Sequence, residues 1–557
     1  MRKKDIYFYN WVPQPLKFLI MLFMFFPILA TNGAYSTNAG EMTAGLGILS
    51  EHIQFTNFAT AIGMVVFTPF IKTFLFMRRP KMVFLIGYFL LFLISWICAQ
   101  TDSVVLLIFC SFLTGFVRII LIFNLLFLLM VIMKGPDALE IFFLDPDDAH
   151  PIEGKMSDQE RNLILPFIYF FFVSLAQGGS ALTAWLAHEY QWQYTYYYMM
   201  GMILFTIFLT IATMKYQKRK FSSKIRLKKF GDLVAASLLL LSFCFILVYG
   251  KTLDWFDHLA IRTAFAVMIV SLGLFILLIT HEKTPYLDSG IFGGRKVIIA
   301  LSLFILLMIL NSSSMFVSVF TGISIKADNL KTAYLSNYSV VGNIIGAILA
   351  HILVKKKVHY RFIFFIGFLF LTISAVYMYF QYQSQGVYSH MITATILRST
   401  GMLILYAMCG AYGMLKLPMK YFGAWVFVML TFRSVIGPAV GTALYNNAIN
   451  ERTLYYTNRL SQDVDQLNPE IAGTFNMTQM GSMLQGKSYE DARILASMSV
   501  KGRIQVQGTL AALKETTGWT IYGGIACMAL TLIIPYKKRK RQLLKRDAVV
   551  VYPSLNP

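Results

Sequence analysis

Long apolar runs separated by short polar gaps dominate this chain. A helix needs about 20 residues to cross a bilayer's hydrocarbon core. Runs of that order lie at 16–38, 54–76, 82–100, 104–132, 163–187, 195–214, 231–250, 260–280, 297–322, 332–354, 361–380, 390–414, 421–447 and 518–536. The gaps between them alternate in charge. Basic residues fill the N-terminus (Arg2, Lys3, Lys4) and the gaps holding Lys72, Arg78, Arg79 and Lys81, then Lys215–Lys229, Lys283–Lys296, Lys355–Arg361, Lys416 with Lys420, and the tail Lys537–Arg546. The intervening gaps hold few Lys and Arg, apart from 450–517, where bases and acids roughly cancel. This is the pattern of the positive-inside rule. The chain thus reads as an all-α integral membrane protein of about 14 transmembrane helices with both termini cytoplasmic.

Three regions strain this simple pattern. The fourth run is long for a perpendicular crossing and holds Arg118 and Asn124. The gap 134–162 is cytoplasmic by parity yet rich in acids, including Asp145, Asp147 and Asp148. A hard cation there is the sharper reading, but the Gly and distal Glu of a calcium loop are missing, and a solvated acidic loop is the plainer one. The longest gap, 450–517, is extracytoplasmic by parity, and Tyr489–Leu513 has helical spacing. It is expected to form a partly helical cap or hairpin, either a docking surface or a passive loop. Trp185, Tyr190, Trp192, Tyr194, Tyr196, Tyr197 and Tyr198 crowd one external gap, as interfacial anchors or as an aromatic cage.

Composition narrows the function classes. Apolar residues make up 57% of the chain and charged residues 14%, with a net charge of +22. That charge sits in short loops, where lipid headgroups and topology account for it, so nucleic acid is not an expected partner. The cysteines Cys98, Cys110, Cys244, Cys409 and Cys527 lie in apolar runs without a CxxC pair, and the histidines show no metal-ligand spacing. Neither a metal nor another cofactor is expected. A Walker loop is missing, so the sequence encodes no ATP hydrolysis. An enzyme acting on lipid-linked substrates would need His, Asp or Glu clustered with a partnered base at one membrane face. None stands out, and an enzyme is not expected. The basic start followed by Leu16–Ala30 looks like a signal peptide, but the many later spans favour an uncleaved first helix.

Several short words occur in a telling order. Thr68-Pro69 is followed by Arg78-Arg79-Pro80-Lys81 and Val83–Gly87, then Leu106–Gly115, then Gly178-Gly179 with Trp185 and Trp192. Phe230-Gly231-Asp232 opens a run that closes at Lys251–Trp255, and Thr284–Asp288 with Ile291-Phe292 follows. Arg398–Gly401 and Arg433–Gly437 come late. In this order the words resemble the fourteen-helix drug–proton antiporter branch of the major facilitator superfamily. The resemblance implies two six-helix bundles, at 1–214 and 297–557, joined by two extra helices within 215–296, with substrate bound between the bundles and access alternating by their rocking. It implies a secondary active transporter exporting hydrophobic or amphipathic compounds on a proton gradient from a bacterial inner membrane. A periplasmic adaptor and an outer-membrane channel become candidate partners. The sequence departs from the family where Leu75 or Phe76 replaces an Asp, where Ser111 replaces an Arg and where Asn32-Gly33 replaces an acid.

Ionisable residues within spans cost about 2.5–3.5 kcal/mol on insertion scales and so ask for a partner or a use. Arg118 lies seven residues beyond Ser111, about 20° from the same helix face. It is a candidate cavity cation; the alternative is a snorkelling or structurally paired Arg. Glu41, the carboxylate close to the first span, is a candidate proton switch or an exposed loop acid. Asn32 and Asn124 are candidates for substrate bonding or helix–helix bonding. Arg398 is a candidate for substrate or proton contact. Arg78, Arg79, Arg433, Gly437, Pro438 and Gly441 are gating or structural candidates, the last three forming a close-packing, kinking word. The shortage of membrane carboxylates keeps a second reading open: a specific metabolite or siderophore transporter, or a uniporter.

Overall fold

The computed structural model describes residues 7–71, 74, 79–134, 158–216, 230–281, 286–415, 417, 421–462, 464 and 469–536. Arg78, the acidic stretch 135–157 and the basic stretches 217–229 and 537–557 lie outside them. The described chain is helical: α1 (Gln14–Ala30), α2 (Ala39–Leu46), α3 (Ser50–Val66), α4 (Pro80–Gln100), α5 (Val104–Lys134), α6 (Asp158–Glu189), α7 (Gln193–Thr213), α8 (Phe230–Tyr249), α9 (Leu259–His281), α10 (Arg295–Ser312), α11 (Ser314–Phe320), α12 (Asn329–Lys355), α13 (Tyr360–Gln381), α14 (Tyr388–Met414), α15 (Phe422–Leu430), α16 (Gly437–Gln462), α17 (Pro469–Leu484) and α18 (Tyr489–Ile533). Thirteen helical runs among the described residues are long and apolar enough to cross a membrane, and the shorter apolar helix Gln14–Ala30 stands beside them. Large apolar side chains such as Phe89, Trp96, Phe109, Phe208, Val270 and Phe380 point outward, as expected of helices solvated by lipid.

Several helices depart from the simple runs. The first was expected to reach residue 38 but ends at Ala30, where Thr31 turns extended and Asn32-Gly33 follows. These are poor helix formers, and the freed carbonyls are taken up by another helix, as described below. The run 297–322 breaks into α10, α11 and a π-helical turn, Thr321–Ile325. A second π-helical segment, Thr431–Ile436, separates α15 from α16. Pro438 follows one residue after it, beyond Gly437; proline lacks an N–H and clashes with the carbonyl four residues back, and a widened turn relieves that conflict.

The gap 450–517 is not a loop. Helix α16 runs on to Gln462, and α17 packs on α18, a single helix of 45 residues. The expected separate span 518–536 is its C-terminal part. At 1.5 Å per residue α18 is roughly 67 Å long, more than twice the hydrocarbon thickness. Ser488 caps its start by accepting from the Asp491 N–H at 3.2 Å, and 489–517 is rich in helix formers without proline. Arg452 of α16 pairs with Glu515 at 3.4 Å, and Arg503 donates to Thr474 at 3.0 Å, fastening the hairpin.

Glycines set the closest crossings. A Cβ on Gly63 would overlap the Phe112 carbonyl, and one on Gly115 would overlap that of Thr60, so α3 and α5 touch backbone to backbone. Gly342 and Gly346 do the same for α12 against α14, at Ile396 and Thr400. At Gly201 a Cβ meets nothing. Gly115→Ala is therefore expected to destabilise by about 1–3 kcal/mol through overpacking, whereas Gly201→Ala gains helix propensity of about 1 kcal/mol. Thermal midpoints of the purified variants, read by size-exclusion fluorescence, check this; equal midpoints would contradict the crossing.

Candidate substrate and coupling site

The first buried arginine, Arg118 on α5, faces the end of α1. Its Nη1 donates to the Asn32 side-chain oxygen and, at 3.5 Å, to the Thr31 carbonyl; its Nη2 donates to the Leu29 carbonyl at 3.2 Å. Two residues flagged separately in the sequence thus form one unit, which closes the carbonyl end of a helix that stops in apolar surroundings. The hydroxyl of fully buried Tyr196 donates to the Gly33 carbonyl at 2.6 Å, and a Cβ on Gly33 would overlap Ser111. Ser111 is thus a packing surface for the 31–33 segment. Asn124 donates to the Ile120 carbonyl four residues back at 2.9 Å, a bond within its own helix.

Arg398 repeats this arrangement in the second half of the chain. From α14 its Nη1 reaches the Asn311 carbonyl at 3.4 Å, where α10 ends before α11. A cavity of about 20 Å³ adjoins it, lined by Ser374, Tyr382, Thr517 and Thr520 among others, room for about one water.

Arg433 is held differently. It lies within the π-helical segment Thr431–Ile436, half-buried, with its guanidinium carbon 4.3 Å from the Tyr406 ring centroid and 5.2 Å from that of Tyr169. Its Nε has no hydrogen-bond partner. The two rings stand edge to face, 6.1 Å apart, one from α6 and one from α14. Their hydroxyls point at thioethers: Tyr169 at Met429 and Tyr406 at Met308, each 3.9 Å away. Beyond it, Gly437 and Gly441 pack α16 onto α10, where a Cβ would stand 2.6 Å from Met308 and 2.5 Å from Ser312, respectively.

A polar seam runs along α6 and α12. Asn343 donates to Gln177 at 2.8 Å and to Ser174 at 3.3 Å, Ser180 donates to Ser336 at 3.3 Å, and His351 meets the Leu163 carbonyl at 3.1 Å. At one end of the seam Glu41, on α2, accepts from Asn329 at 3.4 Å, while its second oxygen is buried without a partner. Near the end of α7, Lys81 donates to the Met214 and Ile211 carbonyls at 2.7 and 2.9 Å, and Arg79 stacks over Tyr216 at 5.2 Å. In the aromatic cluster Tyr190, Tyr194, Tyr197 and Tyr198 face outward, whereas Trp192 and Tyr196 are buried.

No protein-family model matches the chain. An uncharacterized MFS-type transporter of Bacillus subtilis, YhcA, is 22% identical over 391 residues, covering 68% of this chain and 70% of that protein. The colistin resistance protein EmrB of Acinetobacter baumannii is 23% identical over 55% of this chain, which spans only 59% of that protein's length. The crystal structure of a point mutant of the nucleoside transporter NupG superposes with a TM-score of 0.52 at 9% identity, covering 93% of this chain and 100% of that one. The sequence likeness supports an MFS-type transporter, and the likeness to NupG is one of fold. The chain is a multi-pass membrane protein, and the relative it matches over two thirds of both lengths is named a transporter.

Tyr169, Tyr406, Gln177, Asn329 and Asn343 entered no list of sequence candidates. Gln177 and Asn343 were legible as polar residues inside apolar runs, Gln177 directly before Gly178-Gly179; the tyrosines carried no signal among thirty. Removing Arg118 leaves the Leu29 and Thr31 carbonyls unpartnered, at about 1–3 kcal/mol each. Arg118→Met is therefore expected to lower the thermal midpoint strongly, and Asn32→Ala less. A midpoint unchanged in Arg118→Met would refute the capping role.

Proposed function

We propose that this protein is a secondary active exporter of hydrophobic or amphipathic compounds, driven by a proton gradient across a bacterial inner membrane. Two six-helix bundles, 1–214 and 297–557, would rock about the seam, with the two helices within 215–296 between them and both termini in the cytoplasm. The 450–517 hairpin would then project outward, as a docking surface for a periplasmic adaptor linked to an outer-membrane channel. The resistance name of one relative supports efflux.

The observation that carries the coupling is the Glu41–Asn329 contact, which joins the two proposed bundles at the end of the seam. A hydrogen bond to an ionised carboxylate is roughly twice as strong as one to a neutral acceptor. Protonating Glu41 would weaken the closed seam by on the order of 1 kcal/mol, a several-fold shift in the equilibrium between access states. Uniport remains the second reading, favoured by one observation: from Asn329 to Asn450 the chain holds no acidic residue.

Proteoliposomes under an imposed pH gradient separate the two. Coupled export predicts accumulation of substrate against its own gradient in the native protein, and in Glu41→Gln only equilibration. Accumulation that persists in Glu41→Gln removes this residue from coupling, and flux indifferent to the pH gradient supports uniport.

A further inference from the structure

We propose that Arg433, with the hydroxyls of Tyr169 and Tyr406, forms an anion subsite in the transport path, and that the substrates are amphipathic organic anions bearing a carboxylate or sulfonate. The proposal deepens the transporter reading above and rests on it.

The argument begins with what each mid-span arginine already does. Arg118 and Arg398 direct guanidinium donors at carbonyls freed by helix ends, Leu29 and Thr31 in one case and Asn311 in the other. Arg433 faces two tyrosine rings instead, with no backbone carbonyl among the described contacts of its guanidinium; an unpartnered Nε it shares with Arg118 and Arg398. Ring faces attract a cation without saturating its N–H groups; the Tyr169 side chain takes up one interaction, and the Nε stays free. Arg433 and Tyr406 both lie in the acid-free stretch 329–450, and Arg452–Glu515 is the arginine–carboxylate pair found among the described residues. No carboxylate of this stretch competes with an incoming anion for the guanidinium.

The hydroxyls strengthen the case. Each is aimed at a thioether, a weak acceptor easily given up for an anionic oxygen. Guanidinium and two phenols offer several donors within one cluster, while Met308, Met429 and Phe304 give a polarizable apolar wall for the rest of the molecule. Tyr169 belongs to α6, on the opposite side of the seam from Tyr406 and Arg433. A ligand bridging them would touch both proposed bundles. The π-helical turn also places Arg433 where helices carry functional distortions.

Equilibrium dialysis of the full-length protein in nanodiscs, with empty nanodiscs subtracted, tests the site with naphthalene-2-sulfonate as anionic probe and tetraphenylphosphonium as cationic probe. Saturable binding of the sulfonate alone is expected, weakened at least tenfold in Arg433→Gln, less in Arg433→Lys and several-fold in Tyr406→Phe, a variant that keeps the ring and leaves the packing intact. Native-like sulfonate binding in both Arg433→Gln and Tyr406→Phe would overturn the proposal, as would saturable binding of the cation alone or of neither probe. Gradient-driven flux in proteoliposomes keeps the two readings apart. Arg433-dependent binding without any flux sustains the anion subsite and defeats the transporter reading. Flux of the cation without sulfonate binding does the reverse.

Discussion

A backbone carbonyl that loses its helical partner inside hydrocarbon has no water to turn to. That constraint governs the points where this chain departs from straight helices. Helix α1 ends at Ala30, and the guanidinium of Arg118 gathers the Leu29 and Thr31 carbonyls together with the Asn32 side chain. Helix α10 ends at Ser312, and Arg398 reaches the carbonyl of Asn311. Lys81 does the same for the end of α7. These cations carry no carboxylate in their described contacts because what they neutralise is the negative end of a helix. Each break is tolerated because a second helix supplies the donors, so the breaks also fix which helices are neighbours.

Close contact and polar contact divide the work of holding the helices together. Lipid tails are as apolar as leucine, so burial alone gives helices little reason to associate in a membrane. Glycines at 63 and 115, and at 342 and 346, bring backbones together where dispersion is strongest. The α6–α12 seam relies instead on amide and hydroxyl pairs of modest strength, each about 0.6 kcal/mol by measured averages in membranes. A seam of several weak bonds can be exchanged for another set at small net cost, which a backbone-to-backbone glycine crossing cannot. The separation suits a protein in which some interfaces are fixed and one slides.

Much of this was legible in the sequence. The apolar runs anticipated the helices because about 20 apolar residues admit little else, and the helical spacing in Tyr489–Leu513 anticipated the hairpin. Periodicity was silent on where a run breaks inside itself: the π-helical turns at Thr321–Ile325 and Thr431–Ile436 leave apolar content unchanged. Arg118 and Asn32 were each singled out by polarity at membrane depth, yet their union depends on a fold that brings positions 86 residues apart into contact. Arg433 was read as a gating or structural residue from its family word. Its tyrosine frame was beyond reach, since an aromatic in an apolar run looks the same whether it faces lipid or a guanidinium.

The scarcity of acids constrains how any proton could act. Between Asn329 and Asn450 no side chain can bind a proton as a carboxylate does, so a coupling acid must come from elsewhere in the chain. Glu41 is placed at the end of the seam, on a short helix just beyond the α1 break. A proton taken up there would act on the contact between helices and not on a substrate bound beside Arg433. Binding and coupling would then be tied only through the position of the seam. Such an arrangement needs no charge exchange between proton and substrate. An arginine subsite with a remote proton switch would select anions by charge and release them by geometry, when α6 carries Tyr169 away from Tyr406.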